Sequence, residues 1–144
     1  MTRRRQAGLG AVAAIVVLVL LAVLAATVVR LSWSAQGIAA QSLQAARALQ
    51  AARAGVDWGM HQVLNGAWVG CAGSPSQTLD LRADNGMRVT VSCSVSSYTE
   101  AGAARRVYLV EAVACNGGAA SCPDNAAAVG ASYVERKRQL LVSD

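Results

Sequence analysis

Between Arg5 and Arg30 the chain carries no charge at all. Residues 7–29 are 23 such positions, 20 of them hydrophobic, interrupted only by Gly8, Gly10 and Thr27. At about 1.5 Å of rise per residue a helical run of this length reaches about 35 Å, enough to cross a hydrocarbon core of roughly 30 Å. Core helices of soluble proteins rarely stay apolar for so long. Residues 9–29 are therefore expected to form a transmembrane helix. The run also explains the composition: the chain is 54% hydrophobic, and the 121 residues outside the run are 48% hydrophobic, ordinary for a folded domain. Such apolarity excludes a disordered chain. A length of 144 residues leaves room for one small domain beyond the helix.

Charge follows the same division. Arg3, Arg4 and Arg5 give residues 1–29 a charge of +3, residues 30–66 carry +2, and residues 67–144 are neutral. No acid occurs before Asp57. By the positive-inside rule the N-terminus stays in the cytoplasm and the remainder crosses the membrane. The net charge of +5 thus reflects topology, and no nucleic-acid partner is expected. Arg105-Arg106 and Arg136-Lys137-Arg138 suit a solvated sheet edge better than a phosphate-binding patch.

The helical pattern does not stop at the membrane. Leu31, Ala35, Ile38, Ser42, Ala45, Leu49, Ala52, Val56, Met60 and Val63 follow steps of three or four. At 100° per residue they fall within about 60° of Leu49 and make an amphipathic stripe. Gln36, Gln44, Arg47, Gln50, Asp57 and His61 lie on the other side. No proline occurs before Pro75, and Asn65-Gly66 is a plausible stop. One helix is expected over about residues 9–64, with residues 30–66 as its amphipathic part, softened at Gly37, Gly55 and Gly59. Trp33 suits the lipid headgroup level. Trp58 falls nearly opposite the stripe, where either a shielding loop or a contact with another subunit would cover it.

From residue 67 the period changes to two. Residues 77–82, 87–96, 107–115 and 132–142 read as four strands, with a hairpin signal at Asp84-Asn85-Gly86 and a loop over 116–131. Met87, Val89, Val91, Cys93 and Val95 face one way, and Tyr108, Val110, Ala112 and Ala114 are expected to join them inside. The fold class is α+β: a long N-terminal helix packed on a small antiparallel β-sheet head spanning residues 67–144.

So small a head benefits from covalent closure. Cys71, Cys93, Cys115 and Cys122 all lie beyond the membrane run, and an even number in an exported segment suggests two disulfides. Zinc needs closer ligand pairs than these, and the single histidine, His61, lies far upstream, so no metal site is expected. Three connectivities are possible. A hairpin turning around residues 97–104 would place Cys93 opposite about Tyr108 and Cys115 towards the far end of the ladder. Bonded cysteines have Cα atoms within about 7 Å, which disfavours Cys93–Cys115. The preferred pairing is Cys71–Cys93, tying the post-helix loop to the sheet, with Cys115–Cys122, closing a loop before the last strand.

No set of side chains supports catalysis. His61 sits on the polar helix face without partners, Glu111 suits the solvent side of a half-exposed sheet, and no phosphate-binding loop is present. Asp124-Asn125 alone is far short of a Ca²⁺ site. No enzyme activity and no cofactor are expected.

A short basic leader, a glycine, an apolar helix start, a long amphipathic continuation and a small disulfide-bonded sheet form a specific combination. It resembles type IV pilins and the pseudopilins of secretion systems. Within that family, the segment Ala51-Ala52-Arg53-Ala54-Gly55-Val56-Asp57-Trp58-Gly59, then Val89-Thr90-Val91-Ser92-Cys93, Ala114-Cys115-Asn116, Cys122-Pro123 and Tyr133-Val134-Glu135-Arg136, is similar to the pilus-biogenesis branch of mannose-sensitive haemagglutinin (MSHA) systems. The resemblance implies a leader over residues 1–8, cut by a dedicated prepilin peptidase between Gly8 and Leu9. It implies a single-pass subunit of the bacterial inner membrane with a periplasmic head, whose partners are other pilins and minor pilins and which can end in an extracellular pilus. Two departures stand out. The mature chain would begin with Leu9 where pilins usually have Phe, and its fifth residue would be Ala13 where most have Glu. That carboxylate offsets a neighbour's N-terminal charge in the filament core, so Ala13 is a candidate subunit-contact position of a tip or priming subunit. Two simpler architectures compete: a secreted protein cleaved near Leu24-Ala25-Ala26, and a membrane-anchored periplasmic binding protein outside any filament.

Overall fold

The computed structural model describes residues 7–143, without the side chains at 7–9, 31, 34 and 35. Residues 1–6, most of the expected leader, lie outside the described residues. Helix α1 runs over Ala7–Asn65, close to the expected bounds. The chain divides into two compact units, the first ending at Ala40 and the second beginning at Gln41.

In the first unit every described side chain of α1 is exposed. Gly10–Arg30 is long and apolar enough to cross a membrane. Its one hydroxyl, on Thr27, donates to the Leu24 carbonyl at 2.7 Å, which satisfies it without water.

The second unit packs the rest of α1 against four strands: β1 (Ser76–Leu81), β2 (Met87–Glu100), β3 (Ala103–Cys115) and β4 (Glu135–Ser143). They form one antiparallel meander in the order β1-β2-β3-β4, so β1 and β4 are its edges. Val89, Val91 and Val110 are fully buried against the helix with Ala112 and Ala114. Val95 was expected among them but is exposed. The β1 pairing stops at Ser92, so the β2–β3 ladder continues beyond it as a narrowing ribbon. That ladder reaches Glu100↔Ala103 and turns through Ala101 and Gly102, at φ 49° and 81°. Two consecutive positive φ values are the two-residue hairpin geometry that matches strand twist. The turn is tighter than the expected one, which moves the partner of Cys93 from Tyr108 to Val110.

The buried face of the helix shares Ala52, Val56 and Val63 with the expected stripe but is rotated from it. Its buried residues are Ala48, Ala51, Ala52, Gly55, Val56, Gly59 and Val63, while Leu49 and Met60 flank them and Ile38 and Ser42 are exposed. Size explains the rotation. A Cβ on Gly55 would lie 2.6 Å from Val89 Cγ1, and one on Gly59 would lie 2.7 Å from Val110 Cγ1. The small-residue face lets the sheet's valines reach the helix backbone, an approach that larger side chains forbid. Gly55 and Gly59 are therefore contact positions, not the softening points expected of them.

The hairpin expected at Asp84-Asn85-Gly86 joins β1 to β2, and its turn is a four-residue helical one, α2 (Arg82–Asn85). Gly86 closes it at φ 79°, and Asn85 Oδ1 accepts from the Met87 N–H at 3.0 Å. Asp80 accepts a forked pair of bonds from Arg82, which holds its carboxyl well below the usual carboxylate range.

Candidate assembly surfaces

The apolar helix is the first surface. Gly8 and Leu9 fall in the first turns of α1, and Ala13 is exposed upon it. No acidic side chain follows until Asp57, so this stretch offers nothing to neutralise an ammonium group placed beside it.

The second surface is the end of α1. Trp58 is half-buried, and its ring and that of Trp68 meet edge to face, with centroids 5.1 Å apart and planes at 86°. Trp68 lies in the post-helix loop and is itself buried. The loop is fixed by the Cys71–Cys93 disulfide and by Gln62, whose Oε1 accepts from the Ala67 N–H at 3.1 Å. An edge-to-face pair of this kind contributes about 0.5–1.5 kcal/mol beyond its buried area. A shielding loop thus covers one side of Trp58.

The third surface is the loop after β3. The Cys115–Cys122 disulfide folds it over the sheet face opposite α1. The Cys122 N–H donates to Thr90 Oγ1 at 2.7 Å, and the Arg88 carbonyl lies 3.2 Å from Cys122 Sγ. Arg88, on the face of β2 opposite Val89, is buried under this cover, with Nη2 3.7 Å from Asp80. Asp124 organises the loop: its carboxylate accepts from the N–H groups of Ala119 at 3.0 Å and Ala127 at 3.1 Å. Those backbone bonds lower its pKa, so the aspartate serves its own loop. The Asp124 N–H donates to the Tyr133 hydroxyl, which donates in turn to Glu135 at 2.5 Å. Burial, and then Glu135, raise the Tyr133 pKa and keep the phenol protonated. At the tip Val129 is 93% exposed among uncharged neighbours.

The fourth surface is β4. Successive strand residues face opposite ways, so the basic run splits. Lys137 lies on the face away from α1, 2.7 Å from Glu111, which also accepts from Gln139 at 2.6 Å. Burial opposes ionisation of Glu111, but these two bonds outweigh it and lower its pKa. Arg138 faces α1 and, with Arg53, Val56, Asp57, Gln139 and Leu140, lines an open groove of about 330 Å³. A second hollow of about 240 Å³ lies between Gln41, Ala45 and residues 133–136.

The cysteines were legible from spacing and strand register. Asp124, Tyr133 and the Gly55/Gly59 contact were not, because each depends on which loop or strand arrives opposite. Among the described residues no group of three or more His, Cys, Asp or Glu is placed to hold a metal ion. No family model, curated protein or solved structure matches this chain.

Proposed function

We propose that this chain is a minor subunit of a type IV pilus-like filament, of the MshP type found in MSHA systems, acting at the tip or in priming assembly. The observation that carries this reading is the unbroken helix Ala7–Asn65. Its first half is apolar all round, and its second half is built into the core of a disulfide-closed sheet. A cleaved signal peptide has no need of such continuity. A filament subunit uses both halves: the apolar one waits in lipid and then packs among other helices, and the packed one is part of the head. Ala13 favours a terminal place. Without a carboxylate there, the N-terminal ammonium of an adjoining subunit would be desolvated with no partner, which is costly.

Replacing Gly8 by a bulky charged residue tests the reading. The wild-type chain is expected to lose residues 1–8, begin at Leu9 and enter the sheared-filament fraction. The variant is expected to keep its leader, migrate more slowly and stay in the membrane. A wild-type chain that retains Met1 in the membrane fraction, or begins near residue 27, would favour the anchored or secreted alternatives.

A further inference from the structure

β4 ends the sheet, and its backbone direction can be fixed. The Asn116 N–H donates to the Val134 carbonyl at 3.3 Å, one step beyond the Cys115↔Glu135 pair. In an antiparallel ladder hydrogen-bonded pairs recur every second residue. Residues 136, 138, 140 and 142 therefore turn their N–H and C=O groups to β3. Residues 135, 137, 139, 141 and 143 turn theirs to the open edge.

Three features beside that edge point to one occupant. The groove between α1 and β4 runs alongside it and has an apolar floor at Val56 and Leu140. Its rim carries Arg53 and Arg138 against a single acid, Asp57, and Arg136 is exposed next along the strand. On the opposite face Leu141 is 67% exposed beside Leu109, its cross-strand partner. Edge charges of this kind discourage pairing with an equally basic strand, including the β4 of a second copy. They favour an acidic strand.

We propose that β4 is a strand-addition site for an extended segment of a partner protein, with carboxylates at alternate positions and an apolar residue between them. The added strand completes the outward hydrogen bonds of Lys137, Gln139 and Leu141. Its carboxylates enter the groove towards Arg53, Arg136 and Arg138, and its intervening apolar side chain covers Leu141. Strand addition works in this way generally, with backbone bonds giving affinity and alternate side chains giving selectivity. A nucleic acid is disfavoured because strand alternation splits the basic run and Lys137 already holds Glu111. The proposal does not depend on the chain entering a filament.

The test uses the full-length protein in detergent and a labelled nine-residue peptide alternating Asp with Val and Thr. A lysine-for-aspartate counterpart and single-stranded DNA serve as controls. The acidic peptide is expected to bind more weakly as salt rises, and to slow amide exchange at residues 137, 139 and 141 while 136, 138 and 140 change little. Gln139→Pro removes an outward N–H and, apart from the Gln139–Glu111 side-chain bond, leaves the pairing with β3 in place, and it should weaken binding about tenfold or more. R136E/R138E alters only exposed side chains and should do the same. Thr78→Pro, on the β1 edge, should leave affinity unchanged. No binding at about 1 mM peptide, equal binding of the lysine peptide or DNA, or undiminished binding by both β4 variants overturns the proposal.

Discussion

Glycine meets two kinds of surroundings along α1, and one substitution can separate them. An added methyl at Gly37 meets nothing within 4 Å. At Gly59 it lies 2.7 Å and 2.8 Å from methyls of Val110 and Val91, and at Gly55 it crowds Val89 and Ala112. Helix propensity favours alanine over glycine by about 1 kcal/mol at all three, whereas overpacking a stiff core costs about 1–3 kcal/mol. Gly37→Ala should therefore raise helicity and leave head melting unchanged. Gly59→Ala and Gly55→Ala, net of the helix gain, should cost up to about 2 kcal/mol and lower the melting temperature of the head by as much as roughly 10 °C, read by near-ultraviolet circular dichroism. Asp124 gives a second residue-scale prediction. Its pKa is depressed in the fold, so its contribution is present above the unfolded carboxylate range and is lost as pH falls through the folded value. The 116–131 loop should open at acid pH before the sheet does. Asp124→Asn should open it at neutral pH, because an amide turns a donor towards one of the two N–H groups it served. Amide exchange at Ala119 and Ala127 should rise about tenfold in either case while Val89 and Val110 stay protected.

Among the elements, the two disulfides constrain unequal lengths of chain. Cys71–Cys93 spans 22 residues and Cys115–Cys122 spans seven. Loop-closure entropy assigns about 3 kcal/mol to the first and about 2 kcal/mol to the second. Replacing the first pair by alanine should cost more in urea unfolding and should also loosen Trp68 against Trp58, visible as a change in tryptophan emission. Replacing the second should expose Thr90 and Arg88 with a smaller loss. What was legible in the sequence at this scale follows period and spacing. The helix bounds and the four strands come from signals that lie within one segment, and the cysteine partners from spacing and strand register. The helix face does not, because the choice between the Leu49 side and the Gly55/Gly59 side depends on how closely Val89, Val91 and Val110 approach. The cover over Arg88 is equally non-local: alternation assigned that side chain a face, and only the returning loop decided that the face was dry. The exposure of the ribbon beyond Ser92 was hidden because Cys93, Ser94, Val95 and Ser96 continue the alternation of the buried part of the same strand, which breaks only at Ser97.

At the scale of the whole molecule, the proposed filament role turns on how many copies a filament would take. A subunit that stacks repeatedly must satisfy its apolar-phase charges at every layer, and Ala13 offers no carboxylate for that purpose. Burying an ammonium without a partner costs several kcal/mol at each repeat, so the penalty grows with the number of copies while a terminal place incurs it at most once. Abundance should therefore follow the number of filaments and not their mass. In preparations fractionated by length before fragmentation, quantitative mass spectrometry should find the ratio of this chain to the bulk subunit falling in inverse proportion to mean length. Ala13→Glu supplies the missing charge and should make the ratio less dependent on length. A wild-type ratio that stays constant across fractions would place the chain along the shaft and remove the tip assignment, whatever becomes of processing at Gly8.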